Sequence, residues 1–333
     1  MPPEYEIRTI SIQRLLQHYN LGNVETIRNP RHGESPGACH LTLCAFDGTR
    51  RDYVLTLLAE IANPKAFMEP LVHRAHQAGL AVAPFLADQL GQTVHALEGQ
   101  QAMLAEHLPG THSTQPDGPQ CGAMGRLLGR FHKVTRHIQP GPGFRTPPSC
   151  GREERERLIA GLSWNDQRLL QDVHRSAAAL CKRGDASALP AGPVHGAPRR
   201  ENVLFADGRL TGLQNFQYAR RDVFLADLAD ALVDWCHTPE GHFRQDLAER
   251  LIAGYHSTRA LDQRELWFLT PFMLRAAIRR WLESLRQAND DLDPSIADRG
   301  AELRLRPEAA GALVQTLWTH PPDIKLRPAR RYD

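Results

Sequence analysis

The densest run of side chains able to do chemistry lies between residues 195 and 222. It opens as His195-Gly196-Ala197-Pro198-Arg199-Arg200-Glu201-Asn202, continues through Asn215 and ends at Asp222. Asn202 leads straight into the apolar run Val203-Leu204-Phe205, so its amide stands where a loop enters a strand. There it can cap the loop or offer a polar group to a ligand. Arg199 and Arg200 could pair with a phosphate or another anion, but an adjacent pair of arginines reads first as a solvated face. A second run of interest, His32 to Cys39, holds Gly33 and Gly37, which permit close backbone approach, and Pro36, which removes one N–H that could cradle phosphate. His73 and His76 share a helix face, but no third ligand accompanies them, and the six cysteines form no CxxC pair. Neither a metal knuckle nor a disulfide framework is expected.

These residues must be positioned by two different kinds of structure. From about residue 23 to residue 107, short β-type runs alternate with turn signals: Leu41 to Phe46, Tyr53 to Leu58, Thr93 to Leu97 and Ala102 to Glu106. An antiparallel sheet is expected, interrupted by one helix with Asn63 as N-cap, Pro64 at its first position and Gly79 at its end. A further helix is expected at Ser11 to Tyr19. At Leu108-Pro109-Gly110 the character changes, and beyond a polar stretch ending at Pro119 helical periodicity dominates. Helices are expected over Cys121 to His137, Arg152 to Cys181, Leu225 to Cys236, Phe243 to Thr258, Glu265 to Gln287 and Glu308 to Trp318. Among them, Asn202 to Ala206 and Arg209 to Leu213 flank Asp207-Gly208 as a hairpin. The expected organisation is a β lobe over 1–107, a hinge over 108–119, a helical lobe over 120–320 and a polar tail over 321–333.

Composition narrows the function classes. With 333 residues, 41% hydrophobic and 23% charged, the chain is long enough for two lobes and ordinary enough to fold. A net charge of +2 provides no field for a nucleic-acid backbone or an anionic membrane, so neither is expected as a partner. No run of about 18 apolar residues spans a bilayer, and the acidic start MPPEYEIRT does not resemble a signal peptide, so a cytoplasmic protein is expected.

A small β lobe, a Pro/Gly hinge and a helical lobe with an embedded loop and hairpin give an α+β chain of the protein-kinase-like two-lobe layout. Val194-His195-Gly196 with Asn202, then Leu213-Gln214-Asn215-Phe216, Asp222 and Asp227-Leu228-Ala229, resemble the motifs of the aminoglycoside phosphotransferase and choline kinase superfamily, and within it the homoserine kinase family. Tyr53 to Leu57, Gly79 to Pro84, Cys121 with Gly125 and His132, Asp234-Trp235-Cys236, Leu251 to Ser257 and Leu274-Arg275 carry the resemblance across almost the whole chain.

The resemblance implies phosphoryl transfer from ATP with magnesium, which is mostly positioning and charge neutralisation. It assigns His195 to the frame of the catalytic loop, and it puts Ala197 where the family has its catalytic-base aspartate. Asn202 matches a metal-binding position, Asn215 stands where the family has a magnesium-binding aspartate, and Asp222 is a candidate surrogate metal ligand. The nucleotide side is assigned to Gly33, Gly37, Thr56 and Glu106. Losing a base costs roughly 10²–10⁴-fold, and hard Mg²⁺ prefers a charged carboxylate over an amide. The expectation is therefore a pseudokinase that binds a nucleotide or small anionic ligand or regulates a partner protein; the alternative is an active small-molecule kinase. Between His195 and Asp222 five arginines face three acids, which disposes that segment to an anion rather than a metal ion.

Overall fold

The computed structural model describes residues 9–28, 38–58, 63–145, 151–290, 303 and 305–324. Strands β1 (Asn23–Arg28), β2 (Ala38–Cys44), β3 (Arg50–Leu58), β4 (His95–Leu97) and β5 (Gln100–Glu106) form one antiparallel sheet in the order β1-β2-β3-β5-β4. Because strand side chains alternate between faces, β3 divides its residues cleanly. Tyr53, Leu55 and Leu57 pack with Leu41, Leu43 and Leu104 under helix α1 (Thr9–Leu16), whose Ile12, Leu15 and Leu16 close that core. Val54 and Thr56 face the opposite way. Their cross-strand partners are His40 and Ala105 for Val54, and Ala38 and Met103 for Thr56, so one face of the sheet points at the second lobe.

Helix α2 (Met68–Gln77) lies between the lobes and shares the larger core. Asn63 does not act as its N-cap. It adopts a left-handed φ of 49°, begins a short 3-10 turn over Pro64–Ala66 and donates its amide to Pro142 O at 2.8 Å. Pro64 thus starts a tight turn, and the α-helix begins only at Met68.

The second lobe contains α3 (Gly118–Thr135), α4 (Arg152–Ala160), α5 (Trp164–Arg183), α6 (Phe224–Trp235), α7 (Gln245–Thr258), α8 (Gln263–Asp290) and α9 (Pro307–Thr319). The single helix expected over Arg152 to Cys181 is two, parted at Gly161, with Ser163 capping α5 through a hydrogen bond from Asp166 N. Helices α3 and α7 cross closely because Gly125 and Gly254 let each backbone touch the other. The hairpin β7 (Val203–Ala206) and β8 (Arg209–Leu213) matches its expectation. A second pair, β6 (Ala191–Val194) with β9 (Arg220–Val223), was not foreseen, because Ala-Gly-Pro-Val and Arg-Arg-Asp-Val lack an alternating pattern. Both pairs brace the loop between them. No helix among the described residues is long and apolar enough to cross a membrane.

Candidate active site

The loop from His195 to Asn202 leaves β6 and is held from behind by α6. Asp227, in the first turn of α6, accepts His195 N at 2.6 Å and Gly196 N at 2.8 Å. Burial alone would raise the Asp227 carboxyl, yet the hydrogen bonds from His132 and the loop N–H groups hold it below the usual carboxylate range. His132 Nε2 meets Asp227 Oδ2 at 3.1 Å, and its Nδ1 meets the Tyr255 hydroxyl at 2.8 Å. Burial keeps His132 and His195 neutral by lowering both from the ordinary histidine value. The tautomers follow. His132 donates from Nε2 to the carboxylate and accepts the tyrosine proton at Nδ1. His195 donates from Nε2 to Gln214 O at 3.0 Å and accepts Ala197 N at Nδ1. Gly196 has φ +85°, and a Cβ there would lie 2.1 Å from Tyr218 O, so only glycine fits this turn.

The two arginines do not form a solvated face. Arg199 and Arg200 are 9% and 5% exposed and point inward. Arg199 pairs with Asp230 at 3.1 Å and Glu283 at 2.7 Å, while Asp234 accepts Arg200 N at 2.8 Å and pairs with Arg280 at 2.7 Å. The surplus positive charge read in this segment is therefore largely neutralised by α6 and α8 and does not face a ligand. Of the acids on α6, Asp227 is a structural acid by the family resemblance, whereas Asp230 and Asp234 were missed as anchors, although a signal existed. Asp227, Asp230 and Asp234 fall at i, i+3 and i+7 on a helix whose every residue is buried, and carboxylates on one stripe of such a helix must meet buried partners.

The opposite side of the loop is uncharged. Ala197 is buried and presents a methyl group. Asn202 Nδ2 donates to Ala197 O at 2.9 Å, and Asn215 Nδ2 donates to Asn202 Oδ1 at 3.0 Å. This order fixes both amides: a carbonyl only accepts, so Asn202 must turn its NH₂ to Ala197, and its Oδ1 then requires the NH₂ of Asn215. Asn215, at φ 66°, is left with a buried Oδ1 that accepts no hydrogen bond among the described residues. A carboxylate at 215 would instead set two acceptors against each other, an arrangement that needs a cation between them. The amide pair needs none.

Asn215 lines a cavity of about 320 Å³ between the lobes, together with Thr56 and Glu106. Three of the expected residues are thus brought together. Val54 and Ala38 form its sheet side and Leu204, Leu213 and Phe216 its loop side, with the segment Ala105 to Leu108 along an edge. Phe85 and His112 were missed as lining residues, having no motif around them. Gly33 and Gly37 lie outside the described residues. Asp222 is not part of this group: its Oδ2 is gripped by Arg220 at 3.0 and 3.1 Å, its Oδ1 accepts Val223 N, and it lines a separate, smaller cavity with Arg275 and Arg279. Among the described residues no group of three or more His, Cys, Asp or Glu is arranged to hold a metal ion.

Comparison with known proteins agrees with this architecture. A model of the phosphotransferase enzyme family matches residues 31–261. Homoserine kinase of Pseudomonas aeruginosa LESB58 is 32% identical over 281 residues, covering 83% of this chain and 85% of that protein. Homoserine kinase of Cupriavidus pinatubonensis is 30% identical over 278 residues, covering 81% and 83%. Among solved structures, an amicoumacin kinase in complex with AMP-PNP and Ca²⁺ superposes with a TM-score of 0.67 at 17% identity, covering 96% of this chain and 95% of that one. A microcompartment-associated aminopropanol kinase gives 0.63 at 16%, covering 94% and 98%. The two-lobed α+β fold is shared with both. Since the family match spans most of the chain and the homoserine kinases align over more than four-fifths of it, the chain belongs to the phosphotransferase enzyme family, as a homoserine-kinase-like member.

Proposed function

We propose that this chain is a homoserine-kinase-like protein that holds a ligand in its interlobe cavity without transferring phosphoryl groups at a kinase's rate. The observation that supports it is the chain Ala197–Asn202–Asn215, in which the methyl group offers no base and Asn202 Oδ1 is already taken by the Asn215 amide. This donor set does not fit a magnesium-bound nucleotide, because hard Mg²⁺ seeks charged oxygen ligands and the pair supplies none. The loop's own residues still do the positioning: Asp227 holds the turn at His195 and Gly196, and His195 ties it to Gln214. That intact frame favours a second reading, a slow kinase of homoserine or a similar amino alcohol, in which positioning alone supports a loose transition state.

The test is ADP formation from ATP and homoserine in magnesium buffer by the native chain and by Ala197→Asp/Asn215→Asp. Background turnover by the native chain and a gain of roughly 10²-fold or more in the double variant are expected from restoring a base. Native turnover that is lost in Asn202→Ala would establish the slow kinase instead.

A further inference from the structure

The second cavity, of about 210 Å³, is walled by Asp222 and Val223 of β9, Ala226 of α6, and Phe272, Arg275 and Arg279 of α8. None of residues 195–202 lines it and neither does Asn215, so it is separate from both the loop and the interlobe cavity. Arginines at i and i+4 on one helix repel each other unless an anion answers them. Here the answer is incomplete. Arg279 gives Nη2 to Asp230 at 3.2 Å and makes no other hydrogen bond or ion pair among the described residues. Arg275 makes none at all among them, and its guanidinium lies over the Phe272 ring, 5.4 Å from the centroid. Asp222, the acid in the same wall, is already matched by Arg220. Asp230 thus orients one guanidinium and Phe272 the other, and one positive charge is left without a counterpart at the cavity. Helix α6 begins at this wall with no side-chain cap, so its first N–H groups add to the same field.

We propose that this cavity binds a small carboxylate, received by the guanidinium groups of Arg275 and Arg279. The surplus of one charge selects the ligand. A phosphate dianion brings more charge than is left unanswered and meets the Asp222 carboxylate, whereas a single carboxylate matches both the charge and the planar fork of a guanidinium. Val223, Ala226 and Phe272 offer apolar surface to the skeleton that carries it, and a volume below the usual ligand range limits that skeleton to a few atoms. The site lies within the helical lobe and stands whether or not the loop transfers phosphoryl groups.

The experiment is ligand-observed NMR of the full chain with propionate, L-alanine or inorganic phosphate, in mildly alkaline buffer at an ionic strength fixed with sodium chloride. Propionate and alanine share the carboxylate and distinguish a bare acid from one that also carries an ammonium group. Saturable binding of at least one of them at millimolar concentration is expected, with phosphate weaker by about tenfold or more. Arg275→Gln should weaken carboxylate binding about tenfold, the size of a lost charged hydrogen bond. Its circular dichroism should stay native, because that side chain is exposed. Arg275→Lys, which keeps the charge without the fork, should fall between the two. Arg168→Gln, on α5 and outside the cavity wall, should leave binding unchanged. Phosphate bound as tightly as the carboxylates, binding insensitive to Arg275→Gln, or no saturation by either carboxylate at tens of millimolar overturns the proposal.

Discussion

The two sides of the loop from His195 to Asn202 are built on opposite principles. Behind it, buried charges are dense: Asp230, Asp234 and Glu283 meet Arg199, Arg200, Arg279 and Arg280, while Asp227 takes two loop N–H groups and His132, itself bonded to Tyr255. In front, where a kinase of this family carries its chemistry, a methyl group and two amides form an uncharged chain. The shape of the loop is therefore determined by the rear and does not depend on what the front displays. A front of this kind can change its chemistry while the fold that presents it stays fixed.

That division predicts where substitutions hurt most. Asp227→Ala removes the acceptor of two loop N–H groups and of His132 in one step, all of them buried. Breaking a buried, fully paired carboxylate costs about 3–5 kcal/mol. Urea unfolding should show a loss of that size, and Asp227→Asn, which keeps one acceptor oxygen, should lose less. Equal losses from Ala197→Gly at the front would erase the distinction between the sides.

The pH response should also belong to the rear. Burial lowers His132, His195 and His237 from 6.5 in the folded chain, His237 to about 4 with the charge of Arg200 adding to the effect. Well above pH 6.5 these rings are neutral in both states and contribute no slope. As pH falls below 6.5 the unfolded chain takes up protons that the folded chain resists, so stability declines, for His237 down to about pH 4. Each histidine contributes up to about 1.4 kcal/mol per pH unit. Below that window the lowered carboxyls of Asp227 and Glu283 add a second loss, as the unfolded chain binds their protons first. Urea midpoints from pH 8 to pH 4 test this, and Asn215→Ala should leave the histidine slope unchanged.

Legibility in the sequence divides along the same line. The sheet, the β7–β8 hairpin and most helices carry period-2 or period-3.6 patterns, and these elements appear where the patterns put them. At the front, the sequence singled out Asn202 and Asn215, which hydrogen-bond to each other, and Asn215 lines the interlobe cavity. The rear was not legible. Whether Arg199 faces water or Asp230 depends on a helix that begins 25 residues later, which no local pattern reports. Asn63 misled for a related reason: an Asn-Pro pair serves a helix start and a tight turn equally well, and its bond to Pro142 decided the outcome.

At the front, the amide pair itself can be broken. Asn215→Asp replaces the hydrogen bond to Asn202 by two facing acceptors and should cost about 1–3 kcal/mol in EDTA. Millimolar Mg²⁺ should return most of that stability to the variant and none to the native chain. Thermal unfolding with and without the cation measures both, and a native chain stabilised by Mg²⁺ alone would contradict an amide pair that holds no cation.

The smallest effect is expected at Asp222, and it sharpens the boundary of the site. Its carboxylate is 36% exposed and already takes two hydrogen bonds from Arg220, itself partly exposed. Exposed pairs of this kind contribute about 0–1 kcal/mol, so Asp222→Asn should shift the unfolding midpoint little. A metal-binding role would require Asp222 to share a cavity with Asn215, and it lines a different one. In the background of Asn215→Asp, then, Asp222→Asn should leave the gained magnesium response intact. Loss of that response would place Asp222 beside the amide pair and move the edge of the site outward by one strand.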